Sequence, residues 1–284
     1  MDILIQGLLL GGLYCLFSLG LSLMFGVMRL TNIAQGDFII AAGFAAVSLA
    51  PLFDGQLLLT GLALLPLAFA AGYLVQRSLL NRTLGKDPLP SLVVTFGLSI
   101  VIQNLLQELY SANPRALEVG ALSTDNLALG GTVVGTLPLL ILLAALLATA
   151  GLQLLFARTA IGRAFRAVSD DREVAELMGL RASRVYATAT ALAFALIALA
   201  GVFQAMRTTV APSDGPMLLL FAFEAVIIGG MGSFWGTFVG AMALGLSQQA
   251  GFSLDPGWGV WFGHLVFLAV LLLRPNGLFP KTRG

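Results

Sequence analysis

The chain is poor in charge, and that scarcity is its most restrictive property. Only 10% of its 284 residues are Asp, Glu, Lys or Arg, where a soluble domain carries roughly 25%. A soluble globular domain of this length is thereby excluded, as is a nucleic-acid-binding surface. There is one cysteine, Cys15, so no disulfide can form within one chain. Cys15 lies in an apolar run and reads as a small packing residue. The one histidine, His264, has no second ligand nearby, which leaves no metal site and no His-Glu-x-x-His motif. It is expected to be buried and hydrogen-bonded. Lysine occurs twice, and no Gly-x-x-x-x-Gly-Lys-Ser/Thr loop exists. The chain therefore has no nucleotide-hydrolysing site of its own.

What is present is hydrocarbon. The composition is 58% hydrophobic and the mean hydropathy is +0.94. Nine apolar segments are expected, at about 3–27, 38–53, 57–76, 91–109, 136–156, 185–205, 217–231, 235–250 and 259–273. The fold class is thus all-α and polytopic, a single transmembrane domain over 1–284 with about nine spanning segments. Those at 38–53, 217–231 and 235–250 are short for a span of about 20 residues, so broken or re-entrant helices are expected there. The start lacks a basic n-region and a cleavage site, and the first run is read as a retained helix.

Basic residues set the expected orientation. All but Arg115 and Arg207 of the 15 fall in Arg29, the 77–90 loop, the 157–184 loop and the tail with Arg274, Lys281 and Arg283. Threading nine segments alternately puts these loops on one side, giving an outer N-terminus and a cytoplasmic C-terminus. Trp258 and Trp261 open the last segment, as an interfacial belt predicts.

The 157–184 loop carries six arginines and more than topology needs. Asp170 and Glu173 have capping-box spacing. Val174, Leu177 and Met178 form an apolar stripe, and Gly179 suits a helix stop. Two short helices are expected, one over Ile161–Val168 and an amphipathic one after Asp170. The outer loop from Tyr110 to Thr136 is long enough for short helices and is a candidate surface for a solute-binding protein.

Two places combine polar residues with broken apolar sequence. Glu224-Ala-Val-Ile-Ile-Gly229-Gly230-Met-Gly232-Ser233 puts a carboxylate and three glycines in a membrane segment. An acid in hydrocarbon costs about 2.5–3.5 kcal/mol by insertion scales, and broken backbone at that depth persists only inside protein or beside a cavity. Glu224 is read either as lining a polar path or as an acceptor that ties a helix break to the bundle. Asn32, Gln35, Gly36 and Asp37 form the other place, read either as an ordinary turn or as one facing a path. Paired interruptions, one in each half of a transporter, point to a midplane site. Gln103, Asn104 and Gln107 lie at one-turn spacings and suggest a protein-facing polar side near the outer surface. A Gly-x-Ser at Gly97-Leu-Ser99 recurs at Gly20 and Gly245, so it is chance rather than a protease nucleophile.

Three of these stretches resemble one family, the branched-chain amino acid permeases of bacterial importers, over nearly the whole chain. Arg163-Ala164-x-Arg166-Ala167-x-x-Asp170-x-x-x-x-Ala175-x-x-x-Gly179 resembles the coupling loop that seats on an ATP-binding cassette subunit. The Glu224–Ala241 stretch is similar to the family's signature near its end. Thr31–Asp37 is similar to the segment near its start, with Gln35 and Asp37 where His and Glu are usual. Without extra N-terminal helices the chain looks like the shorter, LivH-type permease. The resemblance implies a type II importer fold with inverted halves and a central broken helix. It implies a second, LivM-type permease, two ATPase subunits and a periplasmic binding protein, with ATP and Mg on the partners and no cofactor on this chain. The implied solute is a branched-chain amino acid or a related small polar molecule, in the bacterial inner membrane. By the residues alone, a stand-alone ion-coupled transporter or channel is the alternative.

Overall fold

The computed structural model describes residues 2–85, 88–123, 125–129 and 132–279. Lys86, Lys281 and Arg283, counted above among the basic residues, lie outside them. The helices are α1 (Asp2–Met28), α2 (Gln35–Leu49), α3 (Leu57–Ser78), α4 (Leu89–Tyr110), α5 (Thr136–Arg158), α6 (Ala160–Asp170), α7 (Arg172–Leu177), α8 (Ala182–Arg207), α9 (Gly215–Gly229), α10 (Phe234–Leu254) and α11 (Gly259–Leu273). Between α4 and α5 the chain forms a short 3-10 helix (Gly120–Ser123) and an antiparallel pair of strands, β1 (Asn126–Leu129) with β2 (Thr132–Gly135).

The count of nine spans needs correction. Among the described residues six helices have the length and hydropathy to cross a membrane: Asp2–Met28, Gln35–Phe53, Leu59–Arg82, Leu89–Tyr110, Thr136–Arg158 and Ala182–Arg207. The α9–α10 pair meets that standard only together and is bent by 116°. The 15-residue helices α9 and α11 are about 22 Å long, short of a hydrocarbon core of about 30 Å. The shortness expected of 217–231 is borne out by α9, whereas 235–250 lies in the 21-residue α10 and the short helix α11 at 259–273 was not singled out.

The helices form two sets. In α1 and α8, 83% and 78% of the most apolar stretch is buried, against 22% in each of α3, α4 and α5. The first two are the axis of the bundle and the other three its rim. Small residues allow this: a Cβ on Gly7 would meet the Cα of Leu246 at 2.8 Å, and one on Gly245 would meet the nitrogen of Gly11 at 2.4 Å. The backbones of α1 and α10 therefore touch, as small-residue interfaces do in membranes. On the other side, Gly72 of α3 lies against Phe194 of α8.

The two halves repeat with inverted direction. A long buried helix, a short irregular segment, a 15-residue helix and two further helices occur as α1–α4 and again as α8–α11. The pairings are exchanged, α1 packing on α10 and α3 on α8. Opposite running follows from Ser169, which precedes α8 and donates to the carbonyl of Gly26 near the end of α1 (2.7 Å). No residue-level repeat was visible in the sequence, because membrane helices share composition whatever their ancestry.

Candidate functional site: two helix starts meeting inside the bundle

Segment 29–34 does not end α1 on a surface turn. It folds back, so that α2 begins beside the middle of α1 and α8. Gln35 Nε2 donates to the carbonyl of Phe17 (3.2 Å), and a Cβ on Gly20 would touch both that amide and the carbonyl of Ala193. Asn32 holds the turn: its Oδ1 accepts from the nitrogen of Ala34 (3.1 Å) and its carbonyl from that of Gln35 (3.2 Å). The second half does the same with residues 208–214. There Asp214 Oδ2 accepts from the nitrogen of Ala211 (2.8 Å), and Pro216 follows at the helix start, where its missing N–H is not needed.

The two helix starts meet at Gly36 and Gly215. A Cβ on Gly36 would lie 1.8 Å from the carbonyl oxygen of Gly215, and one on Gly215 would lie 2.0 Å from Oδ1 of Asp37. Neither position tolerates a side chain. Two positive helix ends thus point into one region, and the Asp37 carboxylate sits there. Gln103 Nε2 of α4 donates to Asp37 Oδ1 (2.9 Å) and to Ser99 Oγ (3.2 Å). Asn32, Gln35 and Asp37 are all buried, and Asn32 Nδ2 and Gln35 Oε1 have no hydrogen-bond partner. A buried polar atom without a partner costs about 1–3 kcal/mol, and among the described residues Glu224 Oε2 and Gln248 Nε2 share this condition.

The Glu224–Ser233 stretch is a separate place. Glu224 is buried in α9 and bonded to Nδ1 of His264 in α11. It lies nine residues from Gly215, about 13 Å along the helix. Gly230 (φ 105°) and Gly232 (φ 82°) make the turn between α9 and α10 in backbone that side chains resist. Gly229 and Gly236 touch, a Cβ on Gly229 falling 2.1 Å from the carbonyl of Gly236. Ser233 caps α10 by accepting from the nitrogen of Gly236 (3.1 Å). The turn lies by the end of α1, with Gly232 next to Gly26. It is closed by the chain's own tail: the nitrogens of Leu278 and Phe279 donate to the carbonyls of Ile228 (2.9 Å) and Gly229 (3.0 Å).

The pairing of interruptions inferred from sequence is therefore corrected. The counterpart of Asn32–Asp37 is 208–215, not Gly229–Ser233. The Asp-Gly-Pro at 214–216, a helix-start signal ahead of a short apolar segment, was the available clue. Of the three polar residues of α4, Gln103 faces protein and its partner is Asp37, whereas Asn104 and Gln107 are exposed. The partnership of His264 with Glu224 had no signal in the sequence, since the two are 40 residues apart.

The α6–α7 loop is a rigid bracket. Thr159 caps α6 by accepting from the nitrogen of Gly162 (3.0 Å). Phe165 and Val168 are buried, and the Phe156 ring joins those of Phe165 and Phe234 at 5.3 and 4.9 Å. Arg166 donates to the carbonyl of Phe156. The α7 cap is Asp171, accepting from the nitrogen of Val174 (3.0 Å), and not Asp170, which ends α6. The shift by one residue follows from α6 running further than expected. Gly179 takes φ 88° and stops α7, as anticipated. Ala175 is buried and anchors α7, Ala164 is half-buried, and Arg163, Ala167 and Asp170 are exposed. Val174, Leu177 and Met178 are 55%, 86% and 81% exposed, so the apolar stripe faces away from the bundle.

Residues 3–274 match the family described as "Branched-chain amino acid transport system / permease component". The chain belongs to this family. It is similar to the high-affinity branched-chain amino acid transport system permease protein BraD of Pseudomonas aeruginosa, 29% identical over 98% of this chain and 95% of that one. It is also similar to LivH of Escherichia coli K12, 24% identical over 97% of this chain and 94% of that one. LivM of Salmonella typhimurium is 30% identical over 44% of this chain and 30% of its own length. No solved structure matches. The family places the chain as a non-catalytic transport subunit, a multi-pass membrane permease working with separate ATPase and binding-protein subunits.

Proposed function

We propose that this permease carries a branched-chain amino acid, or a related small polar solute, inward as one half of an ATP-driven importer. Its N-terminus is outside and its C-terminus in the cytoplasm of the bacterial inner membrane. The second half is a LivM-type permease, and two ATPase subunits and a periplasmic binding protein complete the assembly. The observation that carries the reading is the α7 face of Val174, Leu177 and Met178, exposed on a bracket whose Phe165, Val168 and Ala175 are buried. An apolar patch in water marks an interaction surface.

The bracket gives force a route. Ser169 holds the end of α1, and Phe156 joins α6 to the start of α10 through Phe234. Displacement of α7 by the ATPase moves the end of α1 together with the α9–α10 turn. Both α1 and α9 lead to the junction at Gly36 and Gly215. We place the centre of the translocation path there, with Asn32, Gln35 and Asp37 as the polar groups that meet the zwitterionic solute. Glu224 and Gly229–Ser233 then act as the force-receiving hinge and its clamp, rather than as solute contacts.

The test is co-purification of the assembled complex and its solute-stimulated ATP hydrolysis. Substituting Leu177→Glu with Met178→Glu is expected to abolish recovery of the ATPase while the permease remains folded in the membrane. Unchanged recovery, or gradient-driven uptake by the permease alone in liposomes, overturns this reading in favour of a secondary transporter.

A further inference from the structure

Beneath the contact of α3 with α8, on the side of the bundle that carries α6 and α7, lies a cavity of about 230 Å³. Arg77 and Asn81 close it from the end of α3, Arg181, Ser183 and Arg184 from the start of α8, and Tyr73 stands one turn deeper. Three arginines, all exposed, thus line one small open space, and among the described residues none is ion-paired. Arg172, nearby in sequence, shows the contrast: it pairs with Glu176 at 3.2 Å. The wall is built rather than incidental. Thr190 Oγ1 donates to Gln76 Oε1 (2.7 Å), Gln76 Nε2 to Asn81 Oδ1 (3.1 Å), and Asn81 Nδ2 to the carbonyl of Ser183 (3.3 Å). This chain, buried at Thr190 and Gln76 and exposed where Asn81 meets Ser183, links the two helix ends that carry the arginines.

Two further features define what the cavity accepts. The first turn of α8, a 26-residue helix, opens here without a side-chain cap, since the Arg181 side chain has no acceptor and only its carbonyl takes the nitrogens of Arg184 (2.9 Å) and Val185 (3.1 Å). Such a terminus favours an anion, and arginine forks match phosphate oxygens in pairs. Above the rim, Leu67 and Leu74 of α3 are 57% and 62% exposed, two turns apart on one face that ends at Arg77. An apolar strip leading to a cationic cup has the layout of a phospholipid, acyl chain above and headgroup below.

We propose that this cavity is a phosphate-group site at the membrane edge, filled by the headgroup of an anionic phospholipid or by free phosphate. Its occupant neutralises the three arginines and ties the start of α8, and so the bracket before it, to α3. The site is independent of the transported solute.

The test uses the assembled transporter in phosphatidylcholine nanodiscs, titrated with phosphatidylglycerol and read by native mass spectrometry. A parallel arm titrates inorganic phosphate in place of that lipid. Retention of phosphatidylglycerol is expected to weaken about fivefold for Arg77→Gln or Arg181→Gln and about a hundredfold for R77Q/R181Q/R184Q. Arg82→Gln, an exposed arginine outside the cavity, is expected to change nothing. Binding of inorganic phosphate that needs the same arginines, without lipid retention, upholds the site and assigns it a soluble ligand. Retention and phosphate binding that are equal in wild type and variants overturn it. So does a loss of subunit assembly without change in either, which would assign the arginines to an acidic partner surface. Should the triple variant fail to fold, the two single variants decide the matter alone.

Discussion

The two interruptions of the apolar sequence, one with a single glycine and one with three, do opposite things in space. At Asn32–Asp37 the chain turns back inside the bundle and leaves polar side chains buried beside helix starts, two of their atoms unpartnered. At Gly229–Ser233 it makes a hairpin by the end of α1, with left-handed glycines and the chain's own tail over the open carbonyls. In the first, glycine is needed because another backbone occupies the place of its Cβ. In the second, it is also needed for backbone angle. The lesson is that a glycine in a membrane segment marks either a close approach or a turn, and only neighbours from distant sequence tell which.

The sharpest way to break the comparison is to give each glycine a methyl group. Gly36→Ala places a carbon 1.8 Å from a backbone oxygen, an overlap that no rotamer change relieves. Overpacking costs about 1–3 kcal/mol and more where backbone must shift, so this variant is expected to be lost from the membrane, as judged by fluorescence-detected gel filtration. Asp37→Asn comes next and separates the two places by function. It keeps the Gln103 contact nearly isosteric, so folded protein is expected at wild-type amount while transport falls at least about tenfold, the equivalent of about 1.4 kcal/mol. Uptake of labelled solute into proteoliposomes checks it, and unchanged uptake would remove Asp37 from the path.

Gly230→Ala tests the hairpin. Its φ of 105° should cost about 1–3 kcal/mol, lowering the melting temperature of the detergent-solubilised complex. Because Gly230 lies at the force-receiving turn, ATP hydrolysis is expected to persist with weaker solute stimulation. The smallest effect belongs to Leu278→Pro, which removes one backbone donor to Ile228 at a net cost of about 1 kcal/mol. It should be visible as faster hydrogen exchange at the end of α9 and leave solute uptake unaltered.

By itself the sequence determined the helical membrane class, a short α7 with its apolar stripe and glycine stop, and the placing of Glu224 inside the bundle, while it left Asn32, Gln35 and Asp37 open between a surface turn and a buried one. Each of these rests on local chemistry: hydropathy over about 20 residues, capping within four, or the cost of a lone polar group in hydrocarbon. Only the tertiary structure decided that α9 is a half-length helix whose start meets that of α2, that Asp37 answers to Gln103 and Glu224 to His264, and that the two halves run in opposite directions. Those facts depend on which backbone lies within a few ångströms of which glycine, across up to about 180 residues of chain. A pattern of apolar residues states how long a helix is and how oily it is; it does not state where in the bilayer the helix begins.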